Sequence, residues 1–152
     1  MVISIKNLQK KVKLDSRQIR RTVRKLMNIM DCCDKELGLV FVDDLSITEI
    51  NRRYLGRDYP TNVISFSMLE GEFSTINPDI LGDVIISVET ALRDAVNGEI
   101  SFAEELDFLI IHGLLHLLGY NHENSNTYEN ERMTKKEQEL FFLLHGYSFT
   151  CE

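Results

Sequence analysis

The chain has 152 residues, 43% hydrophobic and 27% charged, in the range of one folded globular domain and outside that of disordered or fibrous chains. A domain of this size buries roughly 70% of the surface its unfolded chain exposes, so neither disulfides nor a metal is needed merely to fold it. No apolar run reaches the roughly 18–20 residues that span a bilayer, Lys6, Lys10, Lys11 and Lys13 break the N-terminal stretch, and Cys32, Cys33 and Cys151 form neither a disulfide framework nor a CxxC pair, so a cytoplasmic protein without membrane association is expected.

In chain order, Met1 to Lys6 reads as a short strand. Asp15-Ser16 then caps a helix whose apolar stripe is Ile19, Val23, Leu26, Met27 and Met30, with Arg17, Arg20, Arg21, Arg24 and Lys25 largely on the other faces. Although the net charge is -7, residues 1–30 hold nine basic residues against one acid, giving +8 and leaving -15 on the remainder. That asymmetry points to polyanion contact through these five cations, the plainer reading being a solvated helix face. Leu37 to Val42 is a second strand, and Ser46-Ile-Thr-Glu49 reads as a capping box opening a short helix that Gly56 ends.

Pro60 excludes helix, and Asn62 to Met68 follows as a strand, with Ser65 either lining a cleft or pairing at a sheet edge. Residues 70–79 read as a loop, Ile80 to Ser87 as a strand and Val88 to Asn97 as a helix stopped by Gly98. Asp83 lies inside an apolar strand, where a carboxylate is rarely free; it is either the partner that orients an imidazole or a helix-cap partner. A second capping box, Ser101 to Glu104, opens the helix Glu105 to Leu118, apolar nearly all round and therefore buried at the centre of the fold. Asp107 reads as a solvated helix residue. A last amphipathic helix carries Met133, Glu137, Leu140, Phe141 and Leu144, with His145 as a C-terminal cap before Gly146. With no repeat and no long linker, residues 1–152 are expected to form a single α+β domain with a small four-stranded mixed sheet surrounded by helices.

Three of the four histidines fall within eleven residues, His112-Gly-Leu-Leu-His116-Leu-Leu-Gly119-Tyr-Asn-His122. Positions i and i+4 place His112 and His116 one turn apart on one face of the central helix, and a left-handed turn at Gly119 lets His122 return towards them. Three imidazoles with an open fourth position are a catalytic zinc arrangement, whereas structural sites are more often closed by thiolates. A buried, hydrogen-bonded histidine pair is the plainer alternative for the first two. The skeleton matches the metal site of the metzincin proteases, but their general base, the Glu after the first His, is replaced by Gly113. Metal binding without proteolysis follows, and zinc lowers the pKa of bound water to about 7, which leaves hydrolysis open.

The run His112 to His122 resembles the zinc signature of the YbeY family, bacterial endoribonucleases, including the glycine after the first His. Ile50-Asn51 through Tyr54, Pro60 to Phe66 and Leu81 to Ser87 match in order, with Met133 and Glu137 as weaker matches. The resemblance implies a four-stranded α+β fold, one Zn2+ held by the three histidines, and hydrolysis of single-stranded RNA in 16S rRNA 3′-end maturation and small-subunit quality control. The implied partners are rRNA precursor and the small ribosomal subunit. Two positions depart from the family pattern: Leu55 stands where an arginine for substrate phosphate is usual, with Arg57 or Arg53 as its substitute, and Asn121 stands where Asp is common. Arg57, Ser65 and Asp83 are the candidate catalytic residues. The competing readings are a non-catalytic, metal-containing ribosome-assembly factor that binds RNA, and a metalloprotease, against which Gly113 weighs.

Overall fold

The computed structural model describes residues 2–68, 79–120 and 127–146. The loop expected at 70–79, apart from Asp79, lies outside the described residues, as do Asn121, His122 and Cys151. The elements run β1 (Val2–Asn7), α1 (Ser16–Ile29), β2 (Glu36–Val42), α2 (Asp44–Leu55), β3 (Val63–Ser67), β4 (Ile80–Ser87), α3 (Val88–Asn97), α4 (Phe102–Leu117) and α5 (Thr127–His145). The sheet order is β1-β2-β4-β3, with β1, β2 and β4 parallel and β3 antiparallel to β4 at an edge. This is the mixed four-stranded α+β sheet expected from the sequence.

Side-chain alternation divides the sheet into two faces. Leu37, Leu39 and Phe41 of β2 and Leu81, Val84 and Ile86 of β4 point into the main core with α1, α4 and α5. Val40, Val42, Ile64, Phe66 and Ile85 point the other way, against Ile47 and Ile50 of α2. The central helix α4 is buried nearly all round because it meets α1, α3, α5 and the sheet at once. Its start is fixed by the expected capping box: Glu104 N donates to Ser101 Oγ at 3.1 Å and Ser101 N to Glu104 Oε1 at 2.9 Å. Just beyond its end, Gly119 takes φ +96°, the left-handed turn expected from the sequence.

Two local expectations change. The cap of α2 is Asp43, whose Oδ1 accepts from Ser46 N at 2.9 Å, so the helix begins at Asp44, ahead of the proposed Ser46 box. Glu49, which a box would turn back onto the cap, pairs instead with Arg52. Asp107 is not a solvated residue: its side chain is 13% exposed and accepts from His145 Nε2 at 2.8 Å, which also gives His145 a partner other than helix carbonyls.

Candidate metal centre and substrate cleft

α4 carries His112 and His116 on one face, as the i, i+4 spacing requires, and their Nε2 atoms lie 3.1 Å apart with the rings at 75°. His112 Nδ1 donates to Oε2 of Glu137, a buried carboxylate on α5, at 3.1 Å. A carboxylate only accepts, so this bond puts the proton of His112 on Nδ1 and leaves the Nε2 lone pair facing His116. Two nitrogens bound to one tetrahedral zinc at the usual 2.0–2.1 Å would lie about 3.3 Å apart. The observed pair therefore fits a shared ion. Among the described residues no group of three or more His, Cys, Asp or Glu that could hold a metal is found, and His122, the expected third ligand, lies outside them.

The two imidazoles open into a cleft of about 730 Å3, whose wall is the edge strand β3 and whose rim is the segment after α2. Arg57, Ser65, His112 and His116 all line it, so two elements and a loop bring these candidates together. Arg53, the alternative to Arg57, is exposed and does not line it. Asn51, buried at the end of α2, organises the rim: its Nδ2 donates to Tyr59 O at 2.8 Å and its backbone carbonyl accepts from Arg57 N at 3.3 Å. Its Oδ1 is buried with no hydrogen-bond partner among the described residues. Tyr59, Phe66 and Tyr120 add aromatic walls. Among the described residues no carboxylate lines the cleft, whereas the Arg57 guanidinium does.

Ser65 both lines the cleft and sits on the edge strand, where its Oγ donates to Gly113 O at 3.2 Å. The Ser67 hydroxyl approaches Leu117 O at 3.4 Å, so the two serines hold α4 against β3 on either side of His116. Asp83 is a correction. It is exposed, and its carboxylate lies over Gly38 on the face opposite Val84 and α4, so it orients neither imidazole and caps no helix there. Of the five cations of α1, Arg17, Arg21, Arg24 and Lys25 are exposed, Arg20 is partly buried and donates to Ile3 O at 2.7 Å, and none lines the cleft.

A family model described as Endoribonuclease YbeY matches residues 4–145. The chain belongs to the YbeY family. The Endoribonuclease YbeY of Syntrophus aciditrophicus is 69% identical over 147 residues, covering 97% of this chain and 92% of that one. That of Geobacter sulfurreducens is 47% identical over 146 residues, 96% and 97% of the two chains. The solution structure of TM1509 from Thermotoga maritima shares the fold, with TM-score 0.62 and 24% identity over 95% of this chain and 93% of that one.

In this YbeY family member, Glu137 is the site residue that sequence reasoning notices only as a weak match and assigns no role. The available signal is a carboxylate on the stripe of Met133, Leu140 and Phe141, where only a paired charge is stable. Asn51, Tyr59 and Tyr120 carry no comparable signal, because a loop and a helix end place them.

Proposed function

We propose that this chain is a zinc-dependent endoribonuclease specific for single strands, acting in the cytoplasm on the 16S rRNA 3′ end during maturation and quality control of the small ribosomal subunit, with His112, His116 and His122 as ligands of one zinc ion. The observation that carries the reading is the converging Nε2 pair, 3.1 Å apart, in a cleft that also holds Arg57 and that no carboxylate lines among the described residues. Family membership and relatives named as endoribonucleases support the same activity.

When bound, zinc supplies Lewis acidity at the phosphate and lowers the pKa of the attacking water. The chain's own residues do the rest. Arg57 binds phosphate oxygens, a role a guanidinium fills with two parallel N–H donors. Tyr59, exposed at the rim, offers a face on which an unpaired base stacks, which favours single strands. Glu137 keeps His112 in the tautomer that presents Nε2. Ser65 positions the helix that carries both imidazoles. Asp83, on the far face of the sheet, has no part in this scheme.

The protease reading fails sterically as well as chemically, since a Cβ at position 113 would lie 2.6 Å from Val84 Cγ1 and leave no room for the Glu of that mechanism. The same packing accounts for Gly113, one of the two features behind the non-catalytic alternative. The test is cleavage of a single-stranded rRNA 3′-end fragment by zinc-loaded wild type beside a His116→Ala variant purified in parallel. Cleavage by the wild type alone is expected.

A further inference from the structure

A second cavity, of about 280 Å3, lies where α1, α4 and α5 meet, and it shares no lining residue with the cleft. Gln18, Arg21, Thr22 and Lys25 form one wall, a single stripe of α1 at helical spacing, and Asp107 and His145 form another. Asp107 precedes His112 by five residues, so on α4 the two project about 140° apart around the helix axis. The cavity therefore opens on a different side of α4 from the metal pair.

Its chemistry is unlike that of a solvated helix face. The Asp107 carboxylate is held by His145 Nε2 at 2.8 Å, and the His145 ring lies on Phe141 with centroids 4.5 Å apart. Lys25 Nζ donates to Leu143 O at 3.2 Å, which brings its ammonium to the last turn of α5. Arg21, one turn before Lys25, is exposed at the mouth. Among the described residues the lining carries two cations, Arg21 and Lys25, against one carboxylate, Asp107. Glu104 is the nearby carboxylate on α4 that acts electrostatically on both His145 and Asp107. Guanidinium, ammonium, amide and hydroxyl groups lining one pocket, with cations in excess among the described residues, suit a tetrahedral oxyanion.

We propose that this pocket is a second phosphate site, which holds a backbone phosphate of single-stranded RNA outside the segment bound in the cleft. Only the identity of the ligand as RNA rests on the function proposed above. The site gives the basic face of α1 a specific role, in which Arg21 and Lys25 grip one phosphate while Arg17 and Arg24 contribute to the field around it.

The test uses the full chain without metal, so that cleavage does not enter the reading. Inorganic phosphate and then a short single-stranded RNA are titrated while the ring resonances of His145 and the Nε–Hε signal of Arg21 are followed by NMR. Saturable shifts are expected with both. The exposed pair Arg21→Gln and Lys25→Gln should abolish the His145 shifts, weaken RNA binding about three- to tenfold and lower the salt-dependence slope by about one for each cation removed. The proposal is overturned if sodium chloride at equal ionic strength produces the same shifts. It is equally overturned if phosphate binds but the double variant holds RNA as tightly as wild type, which would leave an adventitious ion only. A protein that cuts no RNA yet shows the expected shifts would sink the nuclease reading and leave this one standing.

Discussion

Gly113 and Val84 pack so closely that a Cβ on the glycine would lie 2.6 Å from Val84 Cγ1 and 2.9 Å from Cγ2, with Ser65 Oγ at 3.2 Å. The helix bearing His112 and His116 thus rests directly on the sheet, and the absence of a side chain at 113 sets how deeply both imidazoles sit beside β3. Gly113→Ala is expected to destabilise the fold by about 2 kcal/mol through overpacking and to displace His112 and His116 together. Urea denaturation and zinc titration check the two effects. A variant with wild-type stability and affinity would contradict the packing account.

Glu137 holds His112 through Nδ1 and, in the proposed site, would act on the metal through it. Glu137→Gln, which can still accept from Nδ1 but carries no charge, is expected to bind zinc about 10- to 100-fold more weakly. Competition with a chromogenic chelator measures this. At saturating zinc the cleavage rate should recover most of the loss, as befits a positioning residue.

Glu105 supplies a pH dependence of stability separate from the chemistry. Burial, reinforced by the charge of Asp94, pushes its carboxyl up to about 7 from an ordinary 4.5. In that interval the folded chain holds a proton that the unfolded chain has lost, so stability falls as pH rises from 4.5 to 7 and levels off above. Glu105→Gln removes the penalty. At pH 8 the variant should be more stable by about 2 kcal/mol, a gap that closes towards pH 4.5, as denaturant titrations at both pH values will show.

Much of this architecture is written locally. The bounds of β4 and α3 follow from the apolar run ending in Ser87, whose side chain caps α3, and from Gly98 closing it. The pairing of His112 with His116 follows from the i, i+4 spacing alone. Asp83 misleads because burial of a strand residue depends on which face is covered: α4 covers Val84, whereas Asp83 is exposed on the opposite face, its carboxylate leaning over the side-chain-free Gly38 of β2. Asp43 displaces Ser46 as cap because both are good acceptors and the chain turns helical one residue after the earlier one. Glu137 reaches His112 across 25 positions, and no local pattern encodes such a distance.

Arg57 and Arg53 separate by experiment. Arg57, on the rim of the cleft, should on replacement by Ala lower kcat/KM for RNA about 10- to 100-fold, the scale of about 1.5–3 kcal/mol for one charged hydrogen-bonding group. Arg53→Ala, exposed and away from the cleft, should stay within about threefold of wild type. Initial-rate kinetics on one fluorescent single-stranded oligonucleotide compare them.

The most direct measurement of the central claim is single-turnover cleavage of a single-stranded rRNA 3′-end fragment by zinc-loaded wild type, the same protein after chelation, and His116→Ala. The account predicts cleavage by the first, loss after chelation with recovery on readdition of zinc, and none by the variant. Equal cleavage by all three, or none by any, would contradict a metal-centred nuclease built on His112 and His116.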